Sequence, residues 1–241
     1  MDAAVSHCGV FFAPFRVGAR IFAKMRLLGR VQRSSPIQSI QTRTHMSILV
    51  GKPAPDFCEK AVVGQQILEN FTLSQFLGKK YVILFFYPLD FTFVCPTELH
   101  AFNDAAEEFS KRNAQLVAVS TDSWYSHLAW LNTPAKQGGI QGVEYPIISD
   151  FNKRVASAYD VLLPEGMALR GLFVIDKHGI VQSQIVNNLP LGRSVDETLR
   201  ILDAIQFHET HGEVCPANWN PSQKGMKATK EGVSDYLGGH H

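Results

Sequence analysis

YVILFFY at 81–87 and PLDFTFVCPTE at 88–98 decide how this chain folds. The first stretch is a continuous apolar run of strand length, as expected of a strand covered on both faces. Pro88 ends that pattern. After Cys95, Pro96, Thr97 and Glu98, apolar residues recur at helical spacing as Leu99, Phe102, Ala106 and Phe109. Proline is favoured at the first helical position, where its missing N–H costs nothing. Cys95 is therefore predicted at or next to the N-cap. A thiol there meets unpaired backbone N–H groups and the positive end of the helix dipole, and both favour thiolate over thiol.

Outward from this junction, strand-like and helix-like stretches alternate. AQLVAVST at 114–121 reads as a second buried strand, and Trp124, Leu128 and Leu131 suit a short amphipathic helix over 123–132. YPIISD at 145–150 is a short strand, and Val155, Ala158 and Tyr159 suit another short helix. GLFVID at 171–176 and IVQSQIV at 180–186 flank Lys177-His178-Gly179, a hairpin signal. Val195, Leu199, Leu202 and Ile205 then mark an amphipathic helix. This order predicts an α/β fold with a mixed central sheet flanked by helices on both faces. After Phe207 the period is lost, and HETHGEVCPANWNPSQKG reads as an extended C-terminal arm. Arms of this kind fray or dock on a partner subunit. Trp219 favours docking, because an indole is costly to leave in water.

The chain has 241 residues and a formal net charge of +1, unevenly spread. Residues 1–45 hold Arg16, Arg20, Arg26, Arg30, Arg33, Arg43 and Lys24 against one acid, Asp2. The remainder carries 16 basic and 21 acidic residues, a net charge of −5. That balance argues against a nucleic-acid partner. The longest apolar run of the leading segment, Gly9–Phe15, is too short to span a membrane. The segment itself reads either as an arginine-rich transit peptide or as an upstream extension that is never made, since Met46 precedes SILVGKPAPDF like a natural start. In both cases disorder is expected over 1–45. The resulting division is 1–45 as extension or transit peptide, 46–207 as the α/β domain, and 208–241 as the C-terminal arm.

The four cysteines, Cys8, Cys58, Cys95 and Cys215, form no CxxC pair. A zinc ribbon and a dithiol reductase are therefore disfavoured, and the count is too sparse for a secreted disulfide scaffold. Of the four, Cys95 has the setting of a reactive sulfur. With an ordinary thiol value near ~8.5, about 3% is ionised at neutral pH, so complete ionisation gains only roughly 30-fold. The loss of basicity reduces that gain further. Other groups must hold and orient the attacked molecule. Thr92 offers a hydroxyl three residues before Cys95, and Arg170, just before the GLFVID strand, offers a cation beside the 81–87 strand. Pro88 would stiffen the loop and shield the sulfur. Glu98, at the third helical position, either caps the helix or meets an arginine, and the two roles are compatible. Cys58 and Cys8 are read as bland, and His100, His127, His178, His208 and His211 show no ligand spacing.

With these residues in place a family resemblance can be stated. FYPLDFTFVCPTE at 86–98 resembles the peroxidatic motif of the peroxiredoxins, and RGLFVID at 170–176, NNLPLGRSVDETLR at 187–200 and HGEVCPANW at 211–219 resemble the rest of a typical two-cysteine peroxiredoxin of the alkyl hydroperoxide reductase C type. The match runs from about Ser47 to Asn220. The resemblance implies a thioredoxin fold with peroxiredoxin extensions. It implies Cys95 as peroxidatic and Cys215 as resolving cysteine, with Pro88, Thr92 and Arg170 at the active site, Glu98 and Arg193 as a supporting charged pair, and no metal, haem or flavin cofactor. It further implies reduction of hydrogen peroxide and alkyl hydroperoxides through a sulfenic acid and an intersubunit disulfide. A thioredoxin-like dithiol protein would recycle that disulfide, in an antiparallel homodimer assembling into a decamer.

Two positions depart from family members that are easily overoxidised. Their GGLG loop reads here Gly138-Gly139-Ile140-Gln141, and their C-terminal YF pair reads Tyr236-Leu237. Both elements slow the unfolding that brings the two sulfurs together, so the departures predict faster resolution and resistance to overoxidation. The same departures favour the Met46 start and a cytoplasmic location, with the mitochondrial matrix as the alternative if 1–45 is a transit peptide.

Overall fold

The structure is a computed structural model that describes residues 48–239. The expectation for residues 1–45, and Cys8 with it, lies outside the described residues.

In chain order the elements are β1 (Cys58–Val63), β2 (Gln66–Thr72), β3 (Tyr81–Phe86), α1 (Cys95–Asp104), α2 (Ala106–Lys111), β4 (Ala114–Ser120), α3 (Trp124–Leu131), β5 (Ile147–Ser149), α4 (Arg154–Ala158), β6 (Arg170–Ile175), β7 (Val181–Asn187), α5 (Val195–His211) and α6 (Lys230–Gly238). The described strands form one mixed sheet in the order β2-β1-β5-β4-β3-β6-β7. β4 pairs parallel with both β3 and β5, and β3 pairs antiparallel with β6.

β3 lies inside the sheet and every one of its residues is buried. Its side chains alternate between two cores, as the two-residue period of a strand requires. Tyr81, Ile83 and Phe85 join Leu99 and Phe102 of α1, Phe109 of α2, Trp130 of α3 and Leu202 of α5. Val82, Leu84 and Phe86 join Val155 and Ala156 of α4, together with Tyr159 and Phe173. Phe85 stacks on Phe102 with ring centroids 4.5 Å apart, so the strand and the helix after it share one aromatic contact. The expected pattern of helices on both faces is what the alternation produces.

Several elements differ from the sequence reading. The helical period from Leu99 to Phe109 is broken at Ala105 (φ −93°, ψ 4°), which separates α1 from α2. The β1–β2 hairpin and α6 are structured stretches that no period announced. α5 continues to His211 and stops where Gly212 takes the left-handed φ of +67°, so residues 208–211 are helix.

The arm after Gly212 does not hang free. Trp219 is buried against Phe207 of α5, with ring centroids 4.9 Å apart, and its carbonyl accepts a bond from Arg200 Nη1 at 3.0 Å. The sequence suggests docking on a partner subunit, whereas Trp219 is seated on the chain's own α5. Among the described residues, no helix is long and apolar enough to cross a membrane.

Candidate active site

β3 delivers the chain to the site. Its register with β6 pairs Phe85 with Leu172, so Arg170 at the start of β6 lies at the end of β3 from which the 88–94 loop departs. Pro88 is buried in that loop, where a residue without an N–H leaves no donor unpaired. Cys95 is the first residue of α1, one place further into the helix than the N-cap, which is Val94. Pro96 follows within the first turn, and Val94 supplies no side-chain cap.

Cys95 is wholly buried. Two groups face its sulfur. Thr92 Oγ1 lies 2.8 Å from Sγ, and Arg170 Nη1 lies 3.5 Å from it. Thr92 Oγ1 is also 2.8 Å from the Leu89 carbonyl oxygen. A hydroxyl carries a single hydrogen, so it cannot donate to both at once. Donation to Leu89 leaves Oγ1 free to accept from a thiol, whereas donation to Sγ suits a thiolate. The hydroxyl can thus follow the sulfur through a change of charge without moving.

Arg170 is fixed by a buried charge cluster. Its Nη1 donates to Glu98 Oε2 at 2.6 Å and its Nε to the Leu189 carbonyl at 2.7 Å. Arg193 donates to the same carboxylate from Nε at 2.7 Å, from Nη2 at 3.0 Å and from its backbone N–H at 2.9 Å. Its Nη1 reaches the Gly171 carbonyl at 2.7 Å. Glu98, Arg170 and Arg193 are all under 10% exposed. One carboxylate against two guanidiniums leaves a net positive unit beside the sulfur, with Glu98 spent on the arginines. The structure therefore brings together Cys95, Thr92, Arg170, Glu98 and Arg193, with Pro88 in the same loop.

Cys215 sits elsewhere, on the arm against α5, with Sγ 3.5 Å from the Ala204 carbonyl oxygen. Burial raises its thiol above the ordinary value, and the Arg200 charge opposes this only in part. Stability drawn from this burial is present below the thiol's ordinary value and is lost as pH rises through the elevated one. In a Cys95→Ser variant, alkylation of Cys215 at neutral pH should be slower than for a free thiol and should accelerate into the alkaline range. A rate matching free thiol would show that the arm is not docked.

The loop at 138–143 and its neighbours clasp α1. His100 Nε2 lies 3.1 Å from the Gly139 carbonyl, Asn103 Nδ2 donates to the Gly142 carbonyl at 3.1 Å, and the Tyr145 hydroxyl donates to the Leu99 carbonyl at 2.8 Å. Ile140 is fully buried, and a Cβ on Gly139 would collide with the Thr133 backbone. These contacts fall on Leu99, His100 and Asn103, beyond the turn that carries Cys95, so the loop holds the body of α1 and not its first turn. Asp90 and its partner His127, beneath the 88–94 loop, were not singled out as site residues. The signal for Asp90 was a lone acid in an otherwise nearly apolar loop.

The AhpC/TSA family model matches residues 50–184, and the model for the C-terminal domain of 1-Cys peroxiredoxin matches 204–239. The chain belongs to the peroxiredoxins. It is 54% identical over 190 residues to a chloroplastic 2-Cys peroxiredoxin of Hordeum vulgare, covering 78% of this chain and 90% of that one. It is 53% identical over 193 residues to a thioredoxin peroxidase of Echinococcus granulosus, covering 80% and 99%. The crystal structure of reduced Plasmodium vivax 2-Cys peroxiredoxin is similar with a TM-score of 0.78 at 50% identity, covering 80% of this peroxiredoxin and 100% of that chain. The fold is the thioredoxin fold with peroxiredoxin extensions, and the protein is a thiol-dependent peroxidase and oxidoreductase with an antioxidant role.

Proposed function

We propose that Cys95 is the peroxidatic sulfur of this peroxidase and Cys215 the resolving one. The observation that carries the first assignment is the wholly buried Sγ faced by the Thr92 hydroxyl and the Arg170 guanidinium. The Cys95 thiolate attacks one oxygen of hydrogen peroxide or an alkyl hydroperoxide. The S–O bond forms as the O–O bond breaks. The leaving oxygen takes a proton and departs as water or alcohol, and Cys95 is left as a sulfenic acid. Arg170 is placed to stabilise the charge passing from sulfur to oxygen, and Thr92 to orient the attacked molecule. Glu98 and Arg193 hold Arg170 in place.

The Cys215 thiol of a second copy then condenses with the sulfenic acid, releasing water and forming a disulfide. A dithiol protein of the thioredoxin type reduces that disulfide by exchange and is itself oxidised. A disulfide needs Cα atoms within about 7 Å. Cys95 is enclosed by its own loop, so both the start of α1 and the arm must loosen for the two sulfurs to meet. A homodimer is supported by the outer edge of β7, which pairs only with β6 among the described strands. Assembly of dimers into a decamer is supported by the exposed rings of Phe91 and Phe93 on the 88–94 loop and of Tyr125 on α3. On this reading, residues 46–207 form the peroxidase domain and 208–241 the resolving arm, and the protein works in the cytoplasm, or in the mitochondrial matrix if 1–45 is a transit peptide.

The test is a non-reducing gel after one equivalent of peroxide. Wild type should run as a covalent dimer, and Cys95→Ser and Cys215→Ser each as monomers. Given a second equivalent of peroxide, Cys215→Ser, which cannot trap its sulfenic acid, should also accumulate Cys95 sulfinate by mass spectrometry. A covalent dimer persisting in either variant would overturn the assignment.

A further inference from the structure

The loop from Pro88 to Val94 carries two hydrogen-bonding side chains, Asp90 and Thr92. Thr92 belongs to the site, while the cycle described above makes no use of Asp90. Yet Asp90 is the most firmly held residue of the loop. Its Oδ1 accepts from the Tyr87 hydroxyl at 2.7 Å, and its Oδ2 lies 2.8 Å from Nδ1 of His127. Tyr87 and His127 are both wholly buried, and the second ring nitrogen of His127 lies 3.3 Å from the Ile148 carbonyl oxygen. The backbone N–H of Asp90 donates to Asp122 Oδ2 at 2.9 Å, and Ser120 Oγ donates to the same oxygen at 2.8 Å. A single loop residue is thereby fastened to the end of β3, the end of β4, α3 and, through His127, β5.

The next residue shows what this fastening does. Phe91 has φ +53°, in the left-handed region that a bulky L residue occupies only when its surroundings impose it. Its ring is about half exposed, with Trp130 5.8 Å away between centroids, so packing alone does not dictate the turn. Thr92 follows immediately, with its hydroxyl against Leu89 and Cys95 Sγ. A strained turn therefore lies between a residue clamped in the core and the hydroxyl that meets the sulfur.

We propose that Asp90 is the positioning residue of the peroxide site: gripped by Tyr87, His127 and Asp122, it imposes the left-handed turn at Phe91 that sets the Thr92 hydroxyl against Cys95. The inference rests on the reading of Cys95 as the attacking sulfur and Thr92 as its partner. It assigns the buried Tyr87–Asp90–His127 cluster a task in catalysis that is distinct from holding the sheet together. Asp90 acts through Thr92 and does not touch the sulfur.

The test is single-turnover oxidation of the reduced full chain by hydrogen peroxide, read as a second-order rate. Thr92→Val and Asp90→Ala should each slow the reaction by about ten- to a hundred-fold, the range expected when a reacting group is misplaced by an ångström or less. The double variant should be no slower than the slower single one, because both changes remove the same contact. Phe91→Gly supplies the left-handed turn without strain. Introduced into Asp90→Ala, it should return the rate to within about threefold of Phe91→Gly alone. Losses that multiply in the double variant, or an Asp90→Ala defect that Phe91→Gly leaves untouched, would overturn the proposal. A Thr92→Val rate equal to wild type would instead sink the reading of Thr92, and the proposal with it. If Asp90→Ala does not fold, Tyr87→Phe removes one grip only and carries the same cycle.

Discussion

Cys95→Ser should lower peroxide consumption to the background of the buffer while the protein stays folded. The substitution changes one atom in a wholly buried position, and the oxygen is smaller than the sulfur it replaces, so the core is little disturbed. What is lost is the nucleophile. A serine hydroxyl beside Thr92 and Arg170 remains un-ionised at neutral pH, and the site provides no base to take its proton: Glu98 is bound by both arginines. The flanking donors remain in place, so the variant also asks whether they have any activity of their own. Peroxide consumption with saturating dithiol reductant is the measurement, and turnover above the buffer rate would show that another group takes the oxygen.

Glu98→Gln should have the largest effect on stability. Glu98 is a carboxylate inside the protein that neutralises part of the charge of two guanidiniums, both under 10% exposed. Glutamine fits the same space but leaves two positive groups buried without a counter-charge. Breaking a buried pair in this way costs about 3–5 kcal/mol. At roughly 2–4 °C per kcal/mol for a chain of this size, the melting temperature should fall by about 6–20 °C. Peroxidase activity should fall as well, because Arg170 loses the anchor that directs Nη1 at the sulfur. Replacing Arg193 by lysine should cost less, since the carboxylate then keeps Arg170 and a second cation. An unchanged melting temperature in Glu98→Gln would mean that solvent or another acid compensates the arginines.

The parts of this molecule that were readable in advance are those where one physical requirement dominates. An unbroken run such as 81–87, closed by Pro88, suits a strand covered on both sides, and Cys95-Pro96 followed by helical spacing from Leu99 suits a helix start. The neighbourhood of Arg170 followed from its place before a strand expected beside 81–87. The unread parts are those in which several weak demands compete. β2 has exposed residues at four of its seven positions, so its sequence carries little periodic signal. α6 buries none of its residues, and its apolar positions, Val233, Tyr236 and Leu237, span little more than one turn. The break at Ala105 is invisible because alanine is a good helix former, and tertiary packing overrides that preference. Asp90 has no partner within its own loop. Besides Tyr87 just before the loop, its grip comes from Asp122 and His127, 32 and 37 residues away in sequence, and no local pattern encodes those meetings.

The start of α1 has an open end. Val94 stands where a serine or aspartate would tie down the first backbone donors. From Glu98 onward the helix is secured to Arg170, Arg193, Tyr145 and the 138–143 loop. The segment free to unravel is therefore short and has a fixed length, a single turn with Cys95 at its tip, stopped by the arginine anchor. Such a fuse can release the sulfur toward a second subunit and re-form afterwards without disturbing the aromatic stack of Phe85 and Phe102 behind it.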